Sequence, residues 1–404
     1  MPFARTEPLR REIERTFPDR PFSVEFWDGT RIPATGDNGD GPVFSVRSPK
    51  AIADLLRAPG QLGVGRAYVH GNLLPDDLDK AMGMVLNWEA PPIDRKAQAR
   101  LMLAAARGAG LTIPPRAPRA ELSPRGRLHS KERDARAVQH HYNVSNEFFA
   151  LFLDQSMTYS CAVFSRGAET LEEAQEEKLD MVCRKLELSE GDRVLDVGCG
   201  WGSFAIHAAQ RYGAEVVGIT LSDPQAAGAR KRAAEAGVGD QVEFRVMDYR
   251  DIAGERFDKI ASIGMVEHVG GERIDLYAQR LASLLRPGGR LLNHGIARLR
   301  HDLAAPGDFS ERYVFPDGET LHLSRVQLAL ERAGFETEHV EGLREDYART
   351  LAEWIKRLDS NLGRAEQLAG PERLRVWRLY LRAARNAFVT RQISIFQVKC
   401  VLPD

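Results

Sequence analysis

Three glycines at alternate positions follow a short apolar segment near the middle of the 404-residue chain. The segment Arg193–Val197 is typical of a buried strand, and a helix-compatible stretch begins at Ser203. Between them stand Gly198, Gly200 and Gly202. Glycine lets the backbone turn sharply and lets a ligand lie against it, and the start of a helix offers unpaired N–H groups to an anion. The spacing therefore predicts a strand–turn–helix that binds a nucleotide-like ligand.

The residues around this loop narrow the kind of ligand. Asp196 stands two residues before the first glycine, and the spacing G-x-G-x-G differs from the G-x-G-x-x-G of dinucleotide sites. The stretch resembles the methyl-donor loop of S-adenosylmethionine-dependent methyltransferases. Further strand-like segments separated by helical stretches follow at 215–220, 242–247, 259–263 and 290–293. This alternation predicts an α/β fold with a doubly wound, mostly parallel sheet. The resemblance implies that it is the Rossmann-like fold of those methyltransferases.

The composition excludes several classes of protein. A formal net charge of -1 does not fit a globally basic nucleic-acid binder, so no nucleic-acid partner is expected. The four cysteines form no C-x-x-C pair and no ligand spacing, which predicts no metal site. No apolar run approaches the ~20 residues of a membrane span, and the first residues do not resemble a signal peptide. We therefore expect a protein that is either cytoplasmic or peripheral to a membrane.

The chain is predicted to contain two domains and a linker. Residues 1–104 form a small α+β domain, because strand-like segments are followed by helical ones. Residues 105–135 form a basic linker rich in proline and glycine, which is either a solvated tether or a segment attracted to anionic lipid headgroups. Residues 136–404 form the methyltransferase domain, with an insertion near 308–323 where a lipid-binding lid could form.

Several motifs together identify a family. The chain carries, in order, H-H-Y-N-V-S-N-E-F-F, S-M-T-Y-S-C-A, L-D-V-G-C-G-W-G-S, G-I-T-L-S-D-P-Q, S-I-G-M-V-E-H-V-G and Y-V-F-P-D-G. Over residues 135–400 this set resembles the cyclopropane fatty acid synthase family. The leading domain resembles, more loosely, that of the bacterial phospholipid-acting members through 67–71, A-Y-V-H-G.

The resemblance implies a reaction at a carbon–carbon double bond. The methyl group of S-adenosylmethionine would be transferred to the cis double bond of an unsaturated acyl chain in membrane phospholipid, and the resulting carbocation would lose a proton to bound bicarbonate. An alkene is a weak nucleophile, so such a site must align the methyl group with the double bond and exclude water.

The family's bicarbonate-binding and catalytic groups match five residues here, namely Cys161, Glu267, His294, Ile296 and Tyr347. Glu267 follows the fourth predicted strand at its carboxyl end, where doubly wound sheets place their sites. Cys161 is expected to make a polar contact and not to act as a nucleophile. The family usually has threonine at the position of Gly295, and this departure is expected to loosen the loop that carries His294.

The methyl donor is expected to lie along the glycine loop. The resemblance places Gly198, Gly200 and Gly202 around the methionine portion, with Tyr159 and Ser160 closing over it. The ribose and adenine contacts match the residues that follow three further strands, namely Thr220, Leu221, Gln225, Tyr249 and Ile263. Many methyltransferases have an acidic residue where this chain has Thr220.

Alternative functions remain open at this point. A hydride shift before proton loss would give a mid-chain methylene, the precursor of a 10-methyl branched chain, and a reductase partner could then complete that chain. A small-molecule N-methyltransferase and a catalytically silent lipid-binding protein are more distant alternatives. The family also suggests a homodimer, with the N-terminal domain as one contact. Arginines of the C-terminal helices either contact lipid headgroups or form a solvated face.

Overall fold

The structure, a computed structural model, describes residues 6–36, 41–110, 112–113, 115–122, 126–127, 129–142, 144–300 and 308–404. Unit 1 comprises Met1–Leu122, Pro306–Tyr313 and Gly370–Asn386, and unit 2 comprises Ser123–Ala305, Val314–Ala369 and Ala387–Asp404. Parts of two predicted features, positions 111, 114, 123–125 and 128 of the linker and Asn143 of the H-H-Y-N motif, lie outside the described residues.

Unit 1 begins with a small α+β arrangement, as predicted. Its elements in chain order are α1 (Glu7–Thr16), β1 (Ser23–Phe26), β2 (Arg31–Ile32), β3 (Val43–Val46), α2 (Pro49–Arg57), α3 (Gln61–Val69), β4 (Leu73–Pro75), α4 (Leu78–Asn87) and α5 (Arg95–Ala109). The sheet order is β2-β1-β3-β4, in which β1 and β2 form a hairpin around Gly29. Helix α3 occupies a glycine-rich stretch for which the sequence did not predict a helix.

The remaining helices and strands follow in chain order. They are α6 (Lys131–Tyr142), α7 (Asn146–Ala150), α8 (Leu171–Leu186), β5 (Arg193–Val197), α9 (Ser203–Tyr212), β6 (Glu215–Thr220), α10 (Asp223–Glu235), β7 (Val242–Val246), β8 (Phe257–Ile263), α11 (Ile274–Leu284), β9 (Leu285–Arg298), α12 (Asp308–Tyr313), α13 (Leu323–Arg332), β10 (Glu336–Gly342), α14 (Arg344–Asp359), α15 (Leu362–Val389) and β11 (Ile393–Val401). The described residues between α5 and α6, namely 110, 112–113, 115–122, 126–127 and 129–130, belong to no helix or strand and lie inside the predicted linker of 105–135.

Unit 2 is organised around a sheet in the order β10-β11-β9-β8-β5-β6-β7. The strands from β9 to β7 are parallel, and β11 and β10 add to the β9 edge in antiparallel orientation. The mostly parallel, Rossmann-like arrangement confirms the predicted fold class. Strand β10 was not predicted, because E-T-E-H-V-E-G is largely charged; as an edge strand it needs no buried apolar alternation.

Strand β5 is the middle one of the five parallel strands and is buried on both faces. Val194, Leu195 and Val197 are fully buried, and they belong to the apolar cores on the two sides of the sheet. Strands covered by helices on both faces read as continuous apolar runs, which is why this strand was recognisable. Because the parallel strands β5, β6, β7 and β8 share a direction, the loops after them meet at one edge of the sheet.

Two later segments complete unit 1. Within α15, the part after a kink at Gly370 contributes Arg382, whose guanidinium is buried and donates two hydrogen bonds to Asp79 at 3.0 and 2.8 Å. Arg385 also donates to Asp79, and Arg375 donates to the carbonyl of Val69. These three arginines therefore have partners within unit 1. No helix among the described residues combines the length and the apolar composition that crossing a bilayer requires.

Candidate active site

The glycine loop after β5 has the backbone that its sequence predicts. Gly198, Gly200 and Gly202 all have positive φ angles, of 81°, 54° and 80°. The loop is fixed to the next strand, because the amides of Gly198 and Cys199 both donate to the carbonyl of Ile219. This left-handed conformation is readily available only to glycine. It exposes main-chain atoms at the edge of the sheet.

The three glycines serve different purposes. A Cβ built on Gly200 would meet nothing within 4 Å, and Gly200 and Gly198 line a cavity at the carboxyl end of the sheet. Gly202 does not line this cavity. A Cβ at Gly202 would lie 2.5 Å from Cζ of Phe244, so this glycine lets a core aromatic ring pack under the loop. Its predicted contact with the donor stays a prediction, whereas its packing role is explicit.

The cavity brings together most of the residues assigned to the methyl donor. Those that line it are Tyr159, Ser160, Gly198, Gly200, Thr220, Leu221, Gln225, Tyr249 and Ile263. They come from the loop before α8 and from segments at the ends of four parallel strands. The structure thus places in one site residues that are separated by about a hundred positions in the chain. Their individual contacts with the donor stay predictions.

The residues at the end of β6 and at the start of α10, which flank the cavity, form hydrogen bonds with one another. The hydroxyl of buried Thr220 donates to Oε1 of Gln225 at 2.8 Å, and Ser222 caps α10 by accepting from the Gln225 amide. Next to them, the Tyr249 ring packs edge-on against Tyr277, with ring centroids 5.6 Å apart. These contacts fix the side chains before a ligand enters, which reduces the entropy lost on binding.

Lys178 on α8 is a site residue that the sequence analysis missed. Its side chain is buried and lines the cavity, and Nζ donates to Oγ of Ser160 at 3.0 Å. Burial lowers the pKa of Lys178 to about 8. One turn earlier, Gln175 donates to the carbonyls of Ser160 and Thr158, at 2.9 and 3.3 Å. Polar residues three positions apart on the apolar face of a helix were the available signal.

Asp196, which in the sequence served only to identify the glycine loop, is a second additional residue of the site. The carboxylate is buried at the end of β5 and lines the cavity, and its Oδ2 atom has no hydrogen-bond partner among the described residues. Burial raises the pKa of Asp196 to about 7, and the cation of Lys178 opposes that rise. Buried polar groups usually have partners. An unsatisfied carboxylate beside the glycine loop therefore indicates a position where a ligand donates a hydrogen bond.

Glu267 lies just after β8, in a short 3₁₀ turn (Val266–His268). Its Oε1 accepts a hydrogen bond from the amide of Ile296 at 2.6 Å, while Oε2 is buried without a partner among the described residues. Burial raises the pKa of Glu267 to about 7, although bonds from the amides of Ile296 and Glu267 itself oppose this. The carboxyl group is therefore held between its protonated and ionised forms near neutral pH.

His294 occupies the middle of β9 and is fully buried. Its Nδ1 lies 2.9 Å from Nε2 of Gln397 on β11, and its own Nε2 has no partner within the part of the chain that is described. Burial is the main reason that the pKa of His294 lies well below its usual value, so the ring is neutral. Like Glu267, His294 presents one buried polar atom that nothing in the protein satisfies.

Gly295 follows His294 at the position where threonine was expected from the family. A Cβ built on Gly295 would lie 2.3 Å from Cγ1 of Val266, in the same turn as Glu267. The glycine thus lets this turn pack directly against β9. The expectation of a looser loop receives no support here, because Gly295 is buried and its strand is fully paired with β11.

Cys161 and Tyr347 meet at one carbonyl group. The Sγ of Cys161 lies 3.7 Å from the oxygen of Leu343, which also accepts from the amide of Tyr347 at 3.0 Å. Leu343 in turn donates to the carbonyl of Ile395, whose register partner is Ile296. Tyr347 lies within α14, with its ring centroid 4.7 Å from that of Phe388.

The environment of Cys161 bears on its chemistry. The thiol is completely buried, and burial raises its pKa well above the usual value. Because the thiolate is the reactive form, Cys161 is not an activated nucleophile, in keeping with the sequence-based expectation. Among the described residues, no group of three or more His, Cys, Asp or Glu side chains could hold a metal ion.

The chain is similar to characterised proteins over most of its length. A family model described as mycolic acid cyclopropane synthetase matches residues 129–398. A probable fatty acid methyltransferase of Pseudomonas putida is 39% identical over 392 residues, covering 95% of this chain and 92% of the relative. The cyclopropane-fatty-acyl-phospholipid synthase of Escherichia coli strain K12 is 33% identical over 363 residues, covering 89% and 88%.

A solved structure extends the similarity to three dimensions. The crystal structure of mycolic acid cyclopropane synthase CmaA1 complexed with SAH and CTAB superimposes with a TM-score of 0.63 and 34% sequence identity. The match covers 66% of this chain and 98% of that chain.

Proposed function

The chain belongs to the mycolic acid cyclopropane synthetase family, which comprises S-adenosylmethionine-dependent lipid methyltransferases, and we propose that it converts the cis double bond of an unsaturated acyl chain in membrane phospholipid into a cyclopropane. The phospholipid substrate is taken from the name of the Escherichia coli relative. We propose that the enzyme works at the inner surface of the membrane, where this substrate lies.

One observation carries the chemical part of the proposal. Two buried polar atoms, Oε2 of Glu267 and Nε2 of His294, have no partners among the described residues. Glu267 is tied to β9 through Ile296, and His294 lies two residues earlier on that strand. Buried polar atoms without partners are costly, by about 1–3 kcal/mol each. Their retention on adjoining elements supports a small polar ligand at this end of β8 and β9.

Bicarbonate has the hydrogen-bonding groups that could satisfy these two atoms. A neutral histidine that carries its proton on Nε2 donates one hydrogen bond, and Glu267 donates another from Oε2 when it is protonated, which its raised pKa of about 7 favours. Cys161 and Tyr347 are linked to the same region through Leu343 and Ile395. Bicarbonate bound here would supply the base that removes the proton from the alkylated acyl chain.

The residues of the chain supply the remaining requirements. A weak alkene nucleophile needs the methyl group held in line with the double bond, and the cavity beside the glycine loop would fix the donor for this purpose. The aromatic cluster of Phe149, Tyr159, Trp201 and Trp354 adjoins that cavity, with neighbouring ring centroids 5.0–5.6 Å apart. Aromatic faces attract cations and exclude water. Both properties suit a reaction that passes through a carbocation.

The product distinguishes this proposal from its alternatives. The purified enzyme is supplied with S-adenosylmethionine carrying a ¹³C methyl group and with vesicles of oleoyl phospholipid, and the acyl chains are analysed by mass spectrometry and proton NMR. Upfield ring protons with one added labelled carbon are the expected result. Vinylidene protons would overturn the cyclopropane product in favour of a methylene, and an unlabelled lipid would overturn the lipid substrate.

A matched variant tests whether the product arises at the proposed site. Gln at position 267 keeps the acceptor for the Ile296 amide but cannot exchange a proton as a carboxyl group does. Glu267→Gln should therefore lower turnover by about 100-fold or more while leaving the affinity for S-adenosylmethionine within a factor of a few. Equal loss of turnover and donor affinity would contradict the role assigned to Glu267.

A further inference from the structure

Among the described residues, only Gln397 on β11 forms a hydrogen bond with a ring nitrogen of His294. We propose that Gln397, oriented by Lys185 and Glu341, is a positioning residue that fixes His294 as the tautomer with its proton on Nε2. The buried Nε2–H is then a permanent donor for the anionic base of the reaction. This inference rests on the proposed function and adds to it the residues that set the proton.

The register of three adjacent strands places Glu341, Gln397 and His294 side by side across the sheet. Glu341 on β10 is the register partner of Gln397 on β11, and Gln397 is the register partner of His294 on β9. Side chains opposite each other on adjacent strands project from the same face of the sheet. Helix α8 crosses this face and supplies Lys185. Gln397 and His294 are both completely buried, so water does not compete for their hydrogen bonds.

The ammonium group of Lys185 determines which way the side-chain amide of Gln397 faces. Nζ of Lys185 lies 2.7 Å from Oε1 of Gln397 and also pairs with Oε2 of Glu341. An ammonium group only donates hydrogen bonds, so the atom it contacts on Gln397 must be the carbonyl oxygen. The NH₂ group of the same amide therefore faces His294, at 2.9 Å from Nδ1.

The amide orientation in turn determines the histidine tautomer. An NH₂ group only donates, so Nδ1 of His294 must accept and cannot carry a proton. In a neutral imidazole with one accepting nitrogen, the proton is on the other nitrogen, which here is Nε2. Protonation of both nitrogens would set an N–H against the Gln397 NH₂ group. The neighbouring cations Lys178 and Lys185 disfavour that form as well.

The Nε2–H group of His294 is therefore a hydrogen-bond donor that has no acceptor among the described residues. Nε2 of His294 is buried and has no partner among the described residues, so the fixed proton is available to a ligand oxygen. A tautomer free to exchange would present a lone pair to an anion for part of the time. Lys185 and Glu341 hold Gln397 so that this repulsive tautomer is excluded. The anion site is thus organised before the ligand arrives.

The first test is a direct measurement of the tautomer. The full-length enzyme is prepared with histidine labelled with ¹⁵N in the ring, and His294 is assigned by comparison with His294→Gln. Correlation spectra are expected to show a protonated Nε2 and an unprotonated Nδ1 in wild type. Gln397→Glu places an acceptor opposite Nδ1 and should move a proton onto that nitrogen. A wild-type spectrum with Nδ1 protonated, or one that Gln397→Glu leaves unchanged, would overturn the proposal.

A pair of lysine variants separates the effect on the tautomer from a general loss of charge. Lys185→Met removes the cation that orients the amide, so both tautomers should become populated. Lys399→Met is the matched control, because Lys399 lies two residues from Gln397 on β11 and pairs instead with Glu187 and Glu338. It should leave the His294 signals unchanged. Equal spectra for the two variants would contradict the assignment of Lys185.

Kinetics connect the tautomer to the reaction. The bicarbonate concentration that gives half-maximal methyl transfer should rise at least tenfold in Lys185→Met and stay within twofold in Lys399→Met. Loss of donor binding in Lys185→Met would instead indicate general disruption and would overturn the positioning role. If the wild-type spectrum shows the expected tautomer but methyl transfer does not respond to bicarbonate, the tautomer inference stands and the proposed function fails.

Discussion

Burial sets the protonation of Glu267 and of three side chains that line the donor cavity. Removal from water raises the pKa of Glu267 and of Asp196 to about 7, and it lowers the pKa of Lys178 to about 8 and that of His268 to about 4. Each shift favours the uncharged form, which is the general effect of a low-dielectric environment. Groups that titrate near neutral pH are suited to exchange protons with a ligand.

Lys178 should support binding of the methyl donor through Ser160. Lys178→Met removes the donor to Ser160 Oγ and also the cation that lowers the pKa of Asp196, so the affinity for S-adenosylmethionine is expected to fall about tenfold. Titration calorimetry measures the change. Lys231→Met, at an exposed lysine of α10, serves as the control. Equal affinities for wild type and Lys178→Met would contradict the contact.

The raised pKa of Glu267 predicts a dependence of stability on pH. From the ordinary value of 4.5 to about 7, the folded protein retains a proton that the unfolded chain has released. Wild type should therefore lose stability relative to Glu267→Gln as pH rises through this window, by up to about 3 kcal/mol. Denaturant unfolding at pH 5, 6, 7 and 8 measures the difference. A difference independent of pH would show that the carboxyl group is not desolvated.

At the level of elements, the strand–loop–helix around β5 combines ligand contact with core packing. The loop leaves Gly198 and Gly200 facing the cavity, whereas Gly202 leaves room for Phe244 of β7. The first two glycines of the loop thus border the ligand cavity, whereas the third allows the loop to pack closely against the sheet. Helix α8 also contributes to two places, since Lys178 hydrogen-bonds Ser160 at the donor cavity and Lys185 hydrogen-bonds Gln397 next to His294.

Alanine substitutions in the loop should separate these two purposes. Gly202→Ala forces a Cβ against Phe244 and strains a positive φ, so we expect a loss of about 3 kcal/mol in the free energy of unfolding. Gly200→Ala meets open space and should cost only about 1–2 kcal/mol while weakening donor binding. Denaturant unfolding and calorimetry distinguish them. Greater destabilisation by Gly200→Ala than by Gly202→Ala would contradict this division.

At the level of the whole molecule, the chain builds each compact unit from separate segments. Unit 1 takes Gly370–Asn386 from a part of the chain about 250 residues after its N-terminal segment, and Glu372 on this segment accepts from the amide of Ala120. The buried guanidinium of Arg382 and the carboxylate of Asp79 also belong to this arrangement. Unit 1 thus includes more than residues 1–104, and the predicted domain bounds stay a prediction.

A truncation tests this dependence. A fragment of residues 1–122 lacks Arg375 and Arg382, which in the full chain donate to Val69 and Asp79. We expect the fragment to show poor amide dispersion in NMR and no cooperative thermal unfolding, and a peptide of residues 362–389 to increase its order. A fragment that unfolds cooperatively without the peptide would contradict the prediction.

The sequence by itself determined the features that are local in the chain. The apolar run before Gly198 specified a central strand, the glycine spacing specified a left-handed loop, and the position of Glu267 after a strand specified the edge of the sheet. Each depends on periodicity or backbone conformation within a dozen residues, so it can be read without distant partners. The family motifs additionally predicted the residues that contact the methyl donor and the group of residues around His294.

Only the tertiary structure decided the pairings between distant segments. The row from Glu341 through Gln397 to His294 depends on the register of three strands, and a slip of one residue would turn these side chains to the opposite face. Lys178 is likewise an ordinary polar residue in the sequence, and Asp196 only helps to identify the glycine loop there. They become site residues because folding removes them from water beside the same cavity, and desolvation is a property of the packed molecule alone.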